Sequence, residues 1–268
     1  MVNGMKSSGS IYVGVGGWNF PPWRGVFYPK GLAQSKELSY AASHLTSIEI
    51  NSTFYGSQKP ESFRKWHDET PKDFVFALKG PRFATNRRVL AEAGESIARF
   101  FESGVTELKD KLGPVNWQFM ATKKFDAADF GAFLKLLPRK VDGRAIRHAV
   151  EVRHDSFKDP AFVALCRKHG VAIVFGADSE FPLIGDVTAD FVYARIMGTS
   201  AKEKLGYPPA TLKTWGQRAK DWAAGESPKK SMLLAPPAPK TRRDVFLFVI
   251  SGAKERNPAA AQAIIAAL

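Results

Sequence analysis

GVGGWN (14–19), SIEINSTFYG (47–56) and FVFALKGPR (74–82) decide the fold, because each is a short apolar strand pattern that runs straight into polar residues. Repeated down a chain, such endings are how a barrel of parallel strands builds a pocket at one rim, where strand ends from distant parts of the sequence converge. Working outward, apolar, β-branched or aromatic runs fall at 11–15, 47–50, 74–78, 115–120, 149–152, 171–175, 191–196 and 245–250. They are short and mostly uncharged, as strands covered on both faces require. There are eight of them, the number that closes this kind of barrel.

Helix-period segments lie between the runs. Ile97, Phe100, Phe101, Val105, Leu108 and Leu112 step by three and four and share one stripe. Phe130, Phe133, Leu134 and Leu137 make another, closed by Pro138. Asp159 caps a helix that starts with Pro160, turns Phe162, Leu165 and Cys166 inward and stops at Gly170. Pro208 and Pro209 start one that bears Leu212, Trp215, Ala219 and Trp222, and Pro258 precedes a final alanine-rich helix. The sixth unit is weak: residues 180–189 contain Pro182 and Gly185, which leaves a loop or a stub. Alternating strands and helices with short connections imply a single (β/α)8 TIM-type barrel over residues 11–268, its sixth helix short or missing, after a flexible N-terminal segment 1–10. The basic, proline- and glycine-containing stretch 225–243 is expected to be a flexible loop on the rim opposite the active face.

With 268 residues and 44% hydrophobic content the chain can bury a sizeable core. No apolar run approaches the roughly 18 to 20 residues that cross a bilayer, and the first ten residues lack an apolar signal core. A soluble cytoplasmic protein with no membrane partner is expected. The single cysteine, Cys166, excludes an internal disulfide and reads as core filler. Lysine plus arginine outnumber acids 39 to 26, a formal net charge of +13 that favours anionic ligands or nucleic acid. No zinc-finger, basic-zipper or RNA-recognition signature accompanies that charge.

The segments 14–32 and 36–82, followed by LGPVNWQF (112–119), AVEVRHDSF (149–157), ADSEFP (177–182) and TADFVYARIMG (188–198), resemble the YecE-like family, also catalogued as domain of unknown function 72. The resemblance implies a TIM-type barrel and supplies no activity. Three departures stand out. Gln118 is followed by FMATK where the family has leucine and two prolines. Met197 replaces a histidine, and residues 248–251 replace a tyrosine, a phenylalanine and paired asparagines.

Read physically, Glu49 and Asn51 share strand parity, as do Glu151 and Arg153, so each pair points one way. Lys79 ends the third strand. Glu49, Lys79, Glu151, Arg153, Asp178 and Arg195 form a candidate array of alternating charges at one rim, where proton-transfer pKa values are tuned; the alternative is a self-satisfied ion-pair network. The catalytic candidates are Glu49 and Glu151 as acid and base, Lys79 and Arg153 stabilising negative charge, and Asp178 orienting. Trp18, Asn51, Tyr55, Arg82, Gln118, His154 and Arg195 are substrate-binding candidates, with Phe20, Trp23 and Phe27 assigned to packing.

No cofactor is assigned. A divalent metal on Glu49, Glu151, Asp178 and His154 ranks lower, because Lys79 and Arg153 compete with a cation. The expected function is an enzyme acting by acid/base chemistry on a small anionic, sugar-like or phosphorylated compound. The alternatives are a nucleic-acid-binding or processing barrel that uses its basic rim, and a noncatalytic small-molecule binder. The sequence leaves the substrate, the reaction and the oligomeric state open.

Overall fold

The computed structural model describes residues 9–268. Nine strand segments form one parallel sheet: β1 (Ile11–Gly16), β2 (Ser47–Ile50), β3 (Val75–Lys79), β4 (Leu112–Gln118), β5 (His148–Glu151), β6 (Ala172–Ile173), β7 (Phe175–Ala177), β8 (Phe191–Ile196) and β9 (Asp244–Val249). Their order is β6-β5-β4-β3-β2-β1-β9-β8-β7. The two ends of that order are halves of one strand, interrupted only at Val174, whose N–H donates to Val150 O at 3.0 Å. The sheet therefore returns on itself with eight strand positions, and the protein is a TIM-type barrel.

Helices α1 (Glu37–His44), α2 (Pro60–Asp68), α3 (Gly94–Glu102), α4 (Ala127–Leu136), α5 (Pro160–His169), α6 (Pro209–Ala223) and α7 (Asn257–Ala266) cover the outside. No helix forms between β7 and β8 among the described residues, in keeping with Pro182 and Gly185 in that segment. Asp159 caps α5 through Ala161 N at 2.7 Å, and Gly170 ends it. Asp126 caps α4 in the same way.

The interior and the outer layer are two separate apolar clusters. Inside, Tyr12 stacks on Phe246 at 4.9 Å beside Phe191, Tyr193 and Phe248, and these rings face small residues, Ala77, Ala149 and Ala172. Rings on one side of the lumen and alanines on the other fill it at protein density.

Three expectations need correction. The stripe from Ile97 to Leu112 is not one helix: α3 stops at Glu102, Gly104 takes φ 97° and residues 105–111 form a 3-10 segment. Leu112 then opens β4, three residues before the expected strand start. Stretch 225–243 is pinned in place, with the buried Arg243 guanidinium donating to the Gly225 and Thr241 carbonyls. Asp186 accepts from Leu234 N (2.8 Å) and Ala235 N (3.1 Å), and Gly185 N donates to Met232 O. Met232, Leu234 and Ala235 thereby pack on the core beside Ile184 and Val187, supplying cover that a sixth helix would give.

Of the N-terminal segment, residues 1–8 lie outside the described residues. Gly9 N donates to Ala223 O, and Ser10 N to Asp244 Oδ1 at 2.9 Å. Among the described residues no helix is long and apolar enough to cross a membrane.

Candidate functional site

Strand register brings the charges together. Glu49 sits between Gly16 and Ala77, Asn116 between Lys79 and Ala149, and Gln118 beside Glu151. Arg195 lies between Gly176 and Phe248. Small residues beside the long charged ones leave room for these side chains inside the lumen.

Arg195 is the hub. Its Nη2 donates to Glu49 Oε1 at 3.0 Å and its Nη1 to Glu151 Oε2, bridging the carboxylates of β2 and β5. Arg153 grips Glu151 Oε1 through Nε (2.8 Å) and Nη2 (2.6 Å). Tyr193 OH donates to Glu49 Oε2 at 2.6 Å, and Asn116 Nδ2 reaches both carboxylates at 3.3–3.4 Å. All four carboxylate oxygens thus have partners. Lys79 Nζ donates to Gln118 Oε1 at 2.8 Å and lies 4.1 Å from the Phe54 ring centre.

Glu49 is fully buried, and Glu151, Arg195 and Lys79 are 3%, 3% and 6% exposed, so these charges interact in a low dielectric. Burial alone would push the Glu151 carboxyl up; Arg195, Arg153 and Lys79 outweigh it and hold the group at about 2. Burial, reinforced by Arg195, pulls Lys79 down to about 8 against the opposing attraction of Glu49 and Glu151. Burial next to Glu49 drives the Tyr193 phenol up. Three cations face two carboxylates, so the cluster carries one surplus positive charge with Lys79 protonated. Arg195 Nε and Asn116 Oδ1 are buried there with no hydrogen-bond partner in the protein.

Glu49, Lys79, Gln118, Glu151, Arg153 and Arg195 therefore meet; the other six candidates do not join them. Asp178 is exposed in a left-handed turn (φ 56°) and accepts from Tyr207 OH at 2.9 Å. His154 caps the turn Asp155–Phe157 by accepting from Ser156 N. Tyr55 is 63% exposed on the rim, where the exposed Arg82 lies 5.7 Å over its ring. These displacements undo the metal alternative as drawn: among the described residues no three histidine, cysteine or acidic side chains are grouped to hold an ion.

Trp18 and Asn51 line a separate cleft of about 360 Å³ over the ends of β1 and β2, with Gly16, Asn19, Ser52 and Lys254. Gly16 permits this geometry, because a Cβ there would lie 2.7 Å from Asn51 Nδ2. Lys254 Nζ sits 4.3 Å over the Phe20 ring, and burial lowers its pKa. Trp23 packs fully buried between Phe20 and Phe27, as expected.

Asn116, Tyr193, Phe54, Phe181 and Lys254 escape the reading from sequence. Two-residue parity reaches the first two, since Asn116 precedes Gln118 and Tyr193 precedes Arg195 by one strand period. Phe54 and Phe181, the latter 4.3 Å under Arg153, sit on loops whose aim no periodicity gives.

A family model described as "Protein of unknown function DUF72" matches residues 12–268. The chain belongs to this family. Within DUF72 and its relatives, UPF0759 protein YecE of Escherichia coli (strain K12) is 29% identical over 150 residues, covering 55% of this chain and 50% of YecE. The chain thus spans about half the length of that curated relative. A DUF72 family protein from Thermotoga maritima superposes with a TM-score of 0.70 at 23% identity, covering 96% of this chain and 97% of the other. A "xylose isomerase-like TIM barrel/4-hydroxyphenylpyruvate dioxygenase fusion protein" superposes at 0.53 with 13% identity, over 93% of this chain and 41% of that one. At these identities the two structures show a shared barrel fold. Met197, where the resemblance implies a histidine, is nearly buried, its Cε 3.5 Å from the position a Cβ on Gly176 would take.

Proposed function

We propose that the mouth of this DUF72 barrel binds a small anionic, sugar-like compound and that Lys79 moves a proton on it. The observation that carries the reading is the environment of Lys79: a nearly buried amine held at about 8, close enough to neutrality to act as acid or base. The surplus positive charge of the cluster and the unused Arg195 Nε–H favour an anion. The neighbouring cleft adds Asn51, Ser52, Lys254 and the Trp18 face, a mixture suited to a hydroxylated body with a charged end.

Glu49 and Glu151 serve this reading as counter-ions. Their oxygens are taken up by Arg195, Arg153, Tyr193 and Asn116, so they hold the guanidinium groups in place and leave proton transfer to the amine. The test is solvent deuterium exchange, followed by proton NMR, at the carbon next to the carbonyl in a panel of aldose and ketose phosphates and sugar acids. Wild type is expected to exchange one class of compound at a rate that rises through pH 8 as the amine loses its proton. Lys79→Met should lose at least tenfold in that rate and stay folded. Saturable binding without exchange would make the protein a noncatalytic binder; exchange unaffected by Lys79→Met would refute the assignment.

A further inference from the structure

An open groove of about 900 Å³ crosses the N-terminal ends of the strands, at the far end of the barrel from Lys79. Its walls are the last turns of α4 and α5 and the segments that enter β5, β6 and β8. They carry Lys135, Arg139, Arg147, Arg167 and Lys168 against a single carboxylate, Asp190. Arg147 is committed to Asp244 at 2.7 Å, and Arg167 faces Asp186 at 3.6 Å. Lys135, Arg139 and Lys168 are exposed and make no ion pair or side-chain hydrogen bond among the described residues.

Cations in last helical turns are favoured by the helix dipole, which accounts for Lys135 and Lys168 as ordinary surface residues. It does not account for Arg139, which lies beyond the end of α4, or for the absence of balancing acids across the groove. His169 reports the resulting field, since burial and the charges of Lys168, Arg139 and Lys135 all push its pKa down.

We infer that this groove binds the phosphate backbone of duplex nucleic acid. The free cations are spread over two helix ends and a connecting segment instead of converging on one point, as a small phosphate site requires. The groove lining offers no exposed phenyl, phenol or indole ring on which to stack an unpaired base: its one such ring, Phe191, is 1% exposed and lies under Arg147 at 5.6 Å. Contacts to phosphate without stacking suit a duplex better than a single strand. The formal charge of +13 supplies long-range attraction to the same partner.

The experiment titrates a fluorescently labelled DNA duplex with the full chain, followed by anisotropy, in a salt series from about 50 to 200 mM. Wild type should bind with an affinity that falls steeply with salt. The triple variant Lys135→Gln, Arg139→Gln, Lys168→Gln alters exposed side chains only, and circular dichroism checks its fold. Its salt slope should drop by about 0.9 per cation removed, about 2.7 in all. Lys79→Met should bind the duplex like wild type, which separates this face from the mouth. No wild-type binding at about 50 mM salt would overturn the inference, as would an unchanged slope in the triple variant. So would equal affinity for polyglutamate or anionic phospholipid vesicles, which would make the partner an acidic protein or a membrane surface.

Discussion

Replacing Lys79 by methionine keeps the apolar stem, deletes the charge and is expected to stabilise the protein at neutral pH. The wild-type amine titrates at about 8 in the folded barrel against 10.5 when solvated, because burial and then Arg195 disfavour its charged form. Below pH 8 both folded and unfolded chains carry the proton, so the cost of the buried ammonium is present in full. Between pH 8 and 10.5 the folded state releases a proton that the unfolded state keeps, and stability rises with pH across that window. Linkage sets the total at about 3 kcal/mol. Methionine also leaves Gln118 Oε1 with only its 3.4 Å contact from Arg195, which costs about 1 kcal/mol. The net gain at pH 7 is then about 2 kcal/mol, or about 4–8 °C in Tm for a chain of this size. Urea denaturation of both proteins at pH 7 and pH 10 measures it; groups other than residue 79 titrate in both and cancel. The variant should be more stable at pH 7 and lose its advantage at pH 10. A variant less stable at pH 7, or a difference that ignores pH, would refute the reasoning.

Arg195→Met leaves Glu49 and Glu151 buried with their shared cation gone, and should cost about 3–5 kcal/mol in urea denaturation. Adding Glu49→Gln should restore part of that loss, whereas a pure packing defect would not be rescued. Asp186→Ala strips the amides of Leu234 and Ala235 of their acceptor; a loss of about 1–3 kcal/mol is expected, with faster limited proteolysis between residues 225 and 243.

The parts of the site that lie on strands are legible because strand parity has a fixed period. Glu49, Gln118, Glu151 and Arg195 can be placed in one lumen from spacing alone, and the structure joins them through Arg195. Loops have no such period. Tyr55 and Phe54 are adjacent in sequence, yet the ring that meets Lys79 is Phe54, because the turn Ser52–Tyr55 sends its neighbour to solvent. Asp178 is diverted by a left-handed backbone that its short side chain tolerates. The stripe from Ile97 to Leu112 misleads for a related reason: leucine satisfies a helix period and a strand equally, while Gly104 at φ 97° ends α3 and the non-helical backbone at Lys109 precedes the strand. The 225–243 stretch has the composition of a mobile loop, and its order comes from distant partners, Asp186 and Gly185.

The two carboxylates fit the role of counter-ions on grounds of charge balance. Burying Lys79, Arg153 and Arg195 together without them would place three like charges around one mouth, and the Lys79 ammonium, the strongest acid of the three, would be the first to lose its proton. Glu49 and Glu151 limit that loss, since both raise the Lys79 pKa while Arg195 and Arg153 lower it. The balance leaves the amine at about 8 and Glu151 at about 2, one group near its switching point and the other ionised at any physiological pH. In the proposed reading Lys79 moves the proton and Glu151 is scaffold, with Arg195 holding both carboxylates.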